Sequence, residues 1–123
     1  MAYNRTREAI LARSVSVAES VFARTRGLLG RKCLPRDEAL WIVPCNAIHN
    51  FFMRFPIDAL FLDRQGRVVA IYHGLRPWRA TWFVRGAHSV LELAEGVLAE
   101  NGARVGDQVD FVEQAGEADV RKR

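Results

Sequence analysis

Apolar and polar residues along most of the chain follow the patterns of β-strands rather than those of helices. A continuous apolar run at residues 39–43 ends at Pro44, which predicts a short buried strand. Other runs of strand length are bounded by turn-forming residues and predict the rest of a sheet. These predicted strands cover residues 10–17, 51–62, 67–72, 89–93 and 108–112, with a hairpin turn at residues 63–66.

The run at residues 51–62 is predicted to be the longest strand and the spine of the sheet. Because side chains alternate across a strand, its odd-numbered residues are expected to face the core, while Arg54 and Asp58 share the other, mixed face. Pro56 lies between them and removes one ladder hydrogen bond, which indicates an edge, a bulge or a bend. Extended backbone separates residues 54 and 58 by about 13 Å, so each charge needs its own partner or a ligand.

Helical spacing of apolar side chains occurs over residues 21–29, and Gly30 lies where such a helix would end. A second short helix is predicted at residues 95–100. The expected fold class is therefore α+β, with a mainly antiparallel, bent sheet that approaches a small barrel and two short helices.

The length of 123 residues, half of them apolar, suits one domain with one core. We expect this domain at residues 10–112, a flexible terminus at residues 1–9 and a polar tail at residues 113–123. The start of the chain does not resemble a targeting segment, and no run approaches the roughly 20 apolar residues that cross a bilayer. A cytoplasmic location without a membrane partner is therefore expected.

Charge is distributed unevenly along the chain. Residues 1–91 contain 14 basic and 6 acidic side chains, whereas residues 92–123 contain 4 basic and 8 acidic ones. This asymmetry could favour a polyanion at one end of the fold. The alternative is a general preference for arginine, because 16 of the 18 basic residues are Arg. Nucleic acid is not the favoured partner under either interpretation.

Cys45 and His49 are the candidate catalytic residues. In a cytoplasmic protein, Cys33 and Cys45 are expected to be reduced thiols rather than a disulfide. A nucleophilic thiol needs a base within hydrogen-bond reach, and the four-residue spacing provides one only if the segment is helical. The alternative is that both side chains serve packing. No paired metal-ligand spacing occurs, so neither a metal site nor a cofactor is predicted.

A second group of residues has the composition of a ligand site for an anion or a planar ring. Guanidinium groups bind phosphate or carboxylate in a bidentate manner, and indole faces stack on planar rings. Two alternatives stay open: in one, the tryptophans cover one end of the core; in the other, the aspartate accepts backbone N–H groups rather than orienting a cation or Arg54. The predicted ligand-binding residues are Arg54, Asp58, Arg76, Trp78 and Arg79, with Trp82 and Arg85 nearby.

Several segments together resemble the prokaryotic family called domain of unknown function 192. The resemblance extends from about Leu11 to Val112 and implies a compact single domain of mixed sheet and few helices; it implies no established activity. The segments that carry it are Arg26-Gly27-Leu28-Leu29-Gly30-Arg31, Phe52-Met53-Arg54-Phe55-Pro56-Ile57-Asp58, Phe61-Leu62-Asp63, Gly66-Arg67-Val68-Val69, Leu75-Arg76-Pro77-Trp78-Arg79, Val90-Leu91-Glu92-Leu93 and Gly106-Asp107.

The function that these observations favour is a small cytoplasmic binding module for an anionic ligand or a protein segment. The site is expected between the Arg54 to Asp58 bend and the loop that carries Arg76 and Arg79. A small enzyme that uses Cys45 and His49 is the first alternative, and a scaffold in a larger assembly is the second. Enzymatic activity is left open, with the absence of catalysis favoured.

Overall fold

The computed structural model describes residues 1–18, 33–48 and 54–112. This part of the chain is mostly β-sheet with one short helix. None of its helices has the length and apolar character needed to cross a bilayer. The elements are β1 (Ala2–Asn4), β2 (Ala9–Ala12), β3 (Ser14–Ala18), β4 (Glu38–Ile42), β5 (Ile57–Leu62), β6 (Val68–Leu75), β7 (Ser89–Ala94), α1 (Val97–Asn101) and β8 (Val109–Phe111).

The larger of two sheets has five strands in the order β3-β4-β7-β5-β6. All its neighbours are antiparallel except β3 and β4, which run parallel. Every residue of β5 and of β7 is buried. These two strands are therefore covered on both faces, which is why their sequences are nearly continuous apolar runs.

Two apolar clusters lie on opposite faces of the five-stranded sheet. Leu60, Leu62 and Leu91 point to the face that packs against α1 and the smaller sheet. Ala59 and Phe61 point to the other face. The prediction that only the odd-numbered face of β5 is core is therefore wrong, because both faces of this strand are buried.

The predicted strand at residues 51–62 is shorter than expected. Within the described residues β5 begins at Ile57, and Arg54 precedes the strand rather than lying on it. Pro56 stands immediately before the first strand residue, and a proline has no N–H to donate to a ladder. Arg54 and Asp58 therefore do not share a strand face, and the longest of the described strands is β6.

The three-stranded sheet has the order β2-β1-β8, with β1 in the centre. The sequence pattern predicts a flexible terminus at residues 1–9, but Ala2 and Asn4 are completely buried in β1. Two short flanking strands supply backbone partners that a local pattern cannot reveal. The single barrel-like sheet of the prediction is also corrected: the described residues form two sheets, and neither closes into a barrel.

Other local predictions are confirmed. The apolar run at residues 39–43 corresponds to β4, and residues 89–93 correspond to β7. The hairpin turn is closed by the Gly66 N–H, which donates to the Asp63 carbonyl at 3.1 Å. The helix predicted at residues 95–100 is α1, whereas the helix predicted at residues 21–29 and the tail at residues 113–123 lie outside the described residues.

Candidate functional site

Asp58 is the centre of the corner where β5, β6 and α1 meet. Its side chain is 0% exposed, and its Oδ1 accepts the Gly74 N–H at 2.8 Å. Its Oδ2 accepts the N–H groups of Gly96 at 3.0 Å and Leu98 at 3.1 Å. Burial of a carboxylate is tolerated when hydrogen bonds replace its hydration. Asp58 thus joins the end of β6 to the first turn of α1.

Two glycines allow the backbone to approach this carboxylate. Gly74 has φ 62° and Gly96 has φ 94°, conformations that residues with a Cβ rarely adopt. A Cβ added at Gly74 would also lie 2.7 Å from Oε2 of Glu95. The left-handed backbone therefore favours glycine at both positions of the corner.

An open cavity of about 510 Å³ lies over this corner. Two of the predicted ligand-binding residues, Asp58 and Arg76, line this cavity, so the tertiary structure brings them together. Two others, Trp78 and Arg79, do not line it. The cavity is lined by Asp58, His73, Gly74, Arg76, Glu95, Gly96 and Ala99.

Arg54 does not join this cavity. It is exposed, and it does not line the corner cavity. None of the three hydrogen bonds to Asp58 comes from Arg54. Of the two interpretations of Asp58, the geometry matches the acceptor of backbone N–H groups.

The segment after β6, residues 76–88, displays large apolar and basic side chains to solvent; we call it the aromatic loop. Trp78 is 61% exposed, Trp82 86% and Phe83 69%. Trp78 also has φ 67°, an uncommon conformation for a residue with a side chain. The loop's three arginines, Arg76, Arg79 and Arg85, are all exposed.

The backbone of the aromatic loop is nevertheless fixed to the segment that precedes β5. The Thr81 N–H donates to the Ile48 carbonyl at 2.8 Å, and the Ile48 N–H donates to Oγ1 of Thr81 at 3.0 Å. The Val84 N–H donates to the Asn46 carbonyl at 2.8 Å. The exposed rings therefore stand on an anchored loop.

Cys45 lies in a different cavity of about 350 Å³. This cavity is also lined by His88 and Arg64, and the Cys45 thiol donates to the Ala47 carbonyl at 3.2 Å. His49, the predicted base, lies outside the described residues. His88 lies 43 positions from Cys45 in the sequence, so no local spacing indicates that the two share a cavity. Cys33 is exposed and Cys45 is half-buried, and they are not joined by a disulfide.

Glu92 is a buried acidic residue that sequence reasoning did not select. It lies on β7 beside Leu40 of β4 and Ala59 of β5, and it is 0% exposed. The available signal was a carboxylate within the apolar run of β7, since an ionisable group in such a run must be paired, exposed on one face or functional.

Asp107 is the centre of a second polar cluster that the sequence did not reveal. Its Oδ2 accepts hydrogen bonds from Asn4 Nδ2 at 2.9 Å, Arg7 Nε at 3.0 Å and the Arg104 N–H at 2.9 Å. Burial raises the pKa of Asp107, but these hydrogen bonds and the charge of Arg7 lower it, so that it lies below the usual 3.8. This cluster joins the N-terminal strand to the C-terminal part of the domain.

No group of three or more His, Cys, Asp or Glu side chains in residues 1–18, 33–48 and 54–112 is arranged to hold a metal ion.

Known proteins include a family that this chain matches over most of its length. The family model of domain of unknown function 192, described as Uncharacterized ACR, matches residues 2–111. The chain belongs to this family. The match confirms the resemblance seen in the sequence and extends it to include β1.

Two relatives and one solved structure are similar to this chain over most of its length. A UPF0127 protein of Thermococcus sibiricus is 32% identical over 116 residues, covering 90% of this chain and 74% of the relative. A UPF0127 protein of Pyrococcus horikoshii is 32% identical over 102 residues, covering 79% and 86%. A crystal structure of a protein of unknown function from Novosphingobium aromaticivorans has a TM-score of 0.76 and 24% identity, covering 89% of this chain and 82% of that one. At that identity the likeness concerns the fold alone.

Proposed function

We propose that this protein is a small, non-enzymatic binding module whose ligand is an acidic segment of a partner protein. The ligand site is the aromatic loop, whose Arg76 also lines the corner cavity. The observation that carries the proposal is the exposure of Trp78, Trp82 and Phe83 beside three exposed arginines.

The exposure of the rings argues against the alternative that the tryptophans cover one end of the core. Trp82 is 86% exposed, so most of its surface contacts solvent rather than the domain. Trp and Arg side chains are enriched where proteins bind partners, because the rings provide apolar area and the guanidinium groups provide charge and directed hydrogen bonds. A patch of this composition supports a role in binding.

The charges of the loop are available to a ligand. Among the described residues, Arg76, Arg79 and Arg85 form no ion pair with an acidic side chain. Residues 76–88 contain no Asp or Glu, so the loop has a local charge of +3. An acidic segment complements this charge and gains both attraction and faster association.

Burial of the rings alone gives at most weak binding. Covering them removes roughly 400 Å² of apolar surface, worth roughly 10 kcal/mol at about 25 cal/mol per Å². Association itself costs about 4–15 kcal/mol. The arginines therefore decide whether a ligand is held, which is why an anionic partner is favoured over a neutral one.

The test is a titration of the protein with a decaglutamate peptide, followed by tryptophan fluorescence at low salt. Replacing Arg76 and Arg79 together with Ala should weaken binding by about tenfold or more, because each charged contact is worth about 1 kcal/mol or more. Trp82→Ala should weaken it as well. The melting temperature should stay nearly unchanged, because these side chains are exposed.

The matched control removes two other exposed arginines, Arg64 and Arg67, from the turn between β5 and β6. Equal weakening by this control would show only non-specific charge attraction and would refute the site. Collapse of folding in the Arg76 and Arg79 variant would assign these residues a structural role. Stronger binding of inorganic phosphate or a thymidine oligonucleotide than of the peptide would replace the proposed ligand class.

The second candidate function is a small enzyme that uses the Cys45 thiol. It is favoured by the cavity that Cys45 shares with His88 and Arg64, since a base and a cation near a thiol promote the thiolate. Comparing the alkylation rates of Cys45 and the exposed Cys33 discriminates the two functions. Alkylation of Cys45 no faster than that of Cys33 at neutral pH would exclude the enzyme.

A further inference from the structure

The pairing of β5 with β6 contains a β-bulge at the corner around Asp58. This single residue of β5 lies opposite two residues of β6, His73 and Gly74. Such a bulge bends the strand and redirects its side chains, and bulges are frequent beside active and binding sites. Gly74 accommodates the extra residue with its left-handed φ of 62°. His73 is exposed and lines the corner cavity, so the bulge forms part of the cavity wall.

The lining of the corner cavity suits a charged ligand rather than an apolar one. Its volume of about 510 Å³ is in the range of small-molecule sites. Among the described residues that line it, four are ionisable, two are glycines and the remaining one is Ala99. Burial of apolar surface therefore contributes little there, and a ligand is held by charge and hydrogen bonds.

Two carboxylates lie close together at this cavity. Asp58 accepts the Gly74 N–H, and Oε2 of Glu95 lies 2.7 Å from the position of a Cβ on the same glycine. Carboxylate oxygens of Asp58 and Glu95 are therefore within roughly 9 Å of each other. In the described segments, no Lys, Arg or His side chain forms an ion pair with either of them. The cavity thus has a negative side without a counterion from the protein.

The two carboxylates act on a ligand in different ways. Asp58 is 0% exposed, so no ligand atom touches it and its charge acts through the cavity wall. Glu95 is exposed and is available for direct contact. A cationic group of a ligand is therefore favoured beside Glu95.

Arg76 provides the opposite charge at the same cavity. It is exposed, and it forms no ion pair with Glu95 although both side chains line one cavity. A guanidinium group without a protein partner binds a carboxylate through two parallel hydrogen bonds. One molecule that carries both charges complements the cavity better than a molecule that carries only one.

We propose that the corner cavity binds a small zwitterion of the amino-acid class. The carboxylate of the ligand pairs with Arg76, its ammonium group contacts Glu95 in the field of Asp58, and His73 adds a hydrogen bond. The site does not depend on the proposed function, because the residues other than Arg76 that line it lie outside the aromatic loop.

The test is a titration of the ¹⁵N-labelled protein with 4-aminobutyrate at constant ionic strength, followed by NMR. Butyrate and n-butylamine have the same carbon chain with one charge each and serve as comparators. The amides of Gly74 and Gly96 should shift, because their N–H groups bond to Asp58 at the cavity. The zwitterion, with a Kd of about 1 mM, should bind about tenfold or more tightly than either comparator, because each comparator loses one charge-assisted hydrogen bond.

The separation of the two charges is tested with β-alanine and 6-aminohexanoate. They carry the ammonium and carboxylate groups closer together and farther apart than 4-aminobutyrate does. The distance between Arg76 and Glu95 selects one length, and the tightest of the three zwitterions is compared with its own single-charge analogues. These measurements use the wild-type protein, so they do not depend on the folding of a variant.

Two variants and two matched controls assign the contacts. Glu95→Gln and Arg76→Gln should each weaken zwitterion binding by about tenfold. Glu8→Gln and Arg13→Gln remove the same charges at exposed positions outside the cavity and should change the affinity by less than about twofold, because distant exposed charges are screened. Glu95→Gln should not weaken decaglutamate binding, which separates this site from the aromatic loop.

The proposal is overturned by any of three results. One is that no zwitterion shifts the Gly74 and Gly96 amides up to about 20 mM, well beyond the expected Kd. Another is that a single-charge analogue binds as tightly as its zwitterion. The third is that the control variants weaken binding as much as Glu95→Gln does. Loss of decaglutamate binding with zwitterion binding intact would refute the proposed function alone.

Discussion

Asp58 and Asp107 are both buried carboxylates, and each accepts hydrogen bonds from distant parts of the chain. The donors to Asp58 come from residues 16, 38 and 40 positions away. Those to Asp107 include Asn4 and Arg7, which are 103 and 100 positions away. In both cases the charge organises the backbone around it. Asp58, which the sequence pattern selects as a ligand-binding candidate, thus accepts its three hydrogen bonds from backbone N–H groups.

Asp107→Asn should remove a pH-dependent part of the stability. The folded-state pKa of Asp107 lies below its unfolded value. The ionised form therefore contributes stability that is fully present above about pH 5 and is lost as pH falls through the folded-state pKa. At pH 7 the wild type should be more stable than the variant by about 1–3 kcal/mol, and the difference should shrink toward pH 2. Urea denaturation across this range measures both proteins.

Asp110→Asn is the matched control for this measurement. Asp110 forms a partly exposed ion pair with Arg5 at 3.4 Å. Exposed pairs contribute about 0–1 kcal/mol, so this variant should lose little stability at any pH. A difference between wild type and Asp107→Asn that stays constant from pH 7 to pH 2 would contradict the proposed role of the ionised carboxylate.

At the scale of elements, the turn between β5 and β6 also connects the two sheets. The Val109 N–H of β8 donates to the Gly66 carbonyl at 2.9 Å. An isolated bridge between Arg67 and Gln108 continues this contact. The hairpin turn predicted from composition is therefore a docking point for a strand of the other sheet.

Gly66→Ala should destabilise the domain more than Gly86→Ala. The two glycines have nearly equal φ values of 83° and 84°. A Cβ at Gly66 would lie 2.6 Å from the Val109 carbonyl oxygen, whereas no described atom lies within 4 Å of one at Gly86. Both changes should cost about 1–2 kcal/mol for the left-handed backbone, and Gly66→Ala should cost more because backbone must move. Equal losses of unfolding free energy in urea denaturation would show that the turn backbone at Gly66 shifts at little cost.

At the scale of the whole molecule, β1 holds the smaller sheet together, because it is the central strand. It pairs with β2 on one side and with β8 on the other, so it joins segments from both ends of the domain. Its residue Asn4 also donates to Asp107. A three-residue strand thereby contributes more to the fold than its length suggests.

Deletion of residues 1–4 should lower the melting temperature by roughly 10–20 °C, which corresponds to a loss of about 3 kcal/mol in a domain of this size. The reason is that β2 and β8 lose their common partner, and two fully buried residues, Ala2 and Asn4, are removed. Circular dichroism during heating measures the change. Tyr3→Ala keeps the backbone ladders and is the control, with a much smaller expected loss. A melting temperature within a few degrees of wild type would refute the central role of β1.

The sequence by itself determined the local elements and the family. Runs of apolar residues and turn chemistry predicted β4, β7, α1 and the turn before Val68, because these signals depend on neighbouring residues in the chain. Motif order identified the family, which the match over residues 2–111 confirms. The pattern also selected Asp58 and Arg76, which line one cavity.

The tertiary structure alone decided which strands pair, which faces are covered and where the polar groups find partners. An apolar run of this length fits a strand with one buried face or a strand with two buried faces. In β5, the residues that pack on both faces decide between the two. The length of β5, the strand β1 and the Asp107 cluster likewise depend on contacts between residues far apart in sequence. Hydrogen-bond donors and strand partners at such separations leave no periodic signal, so the sequence pattern could not predict them.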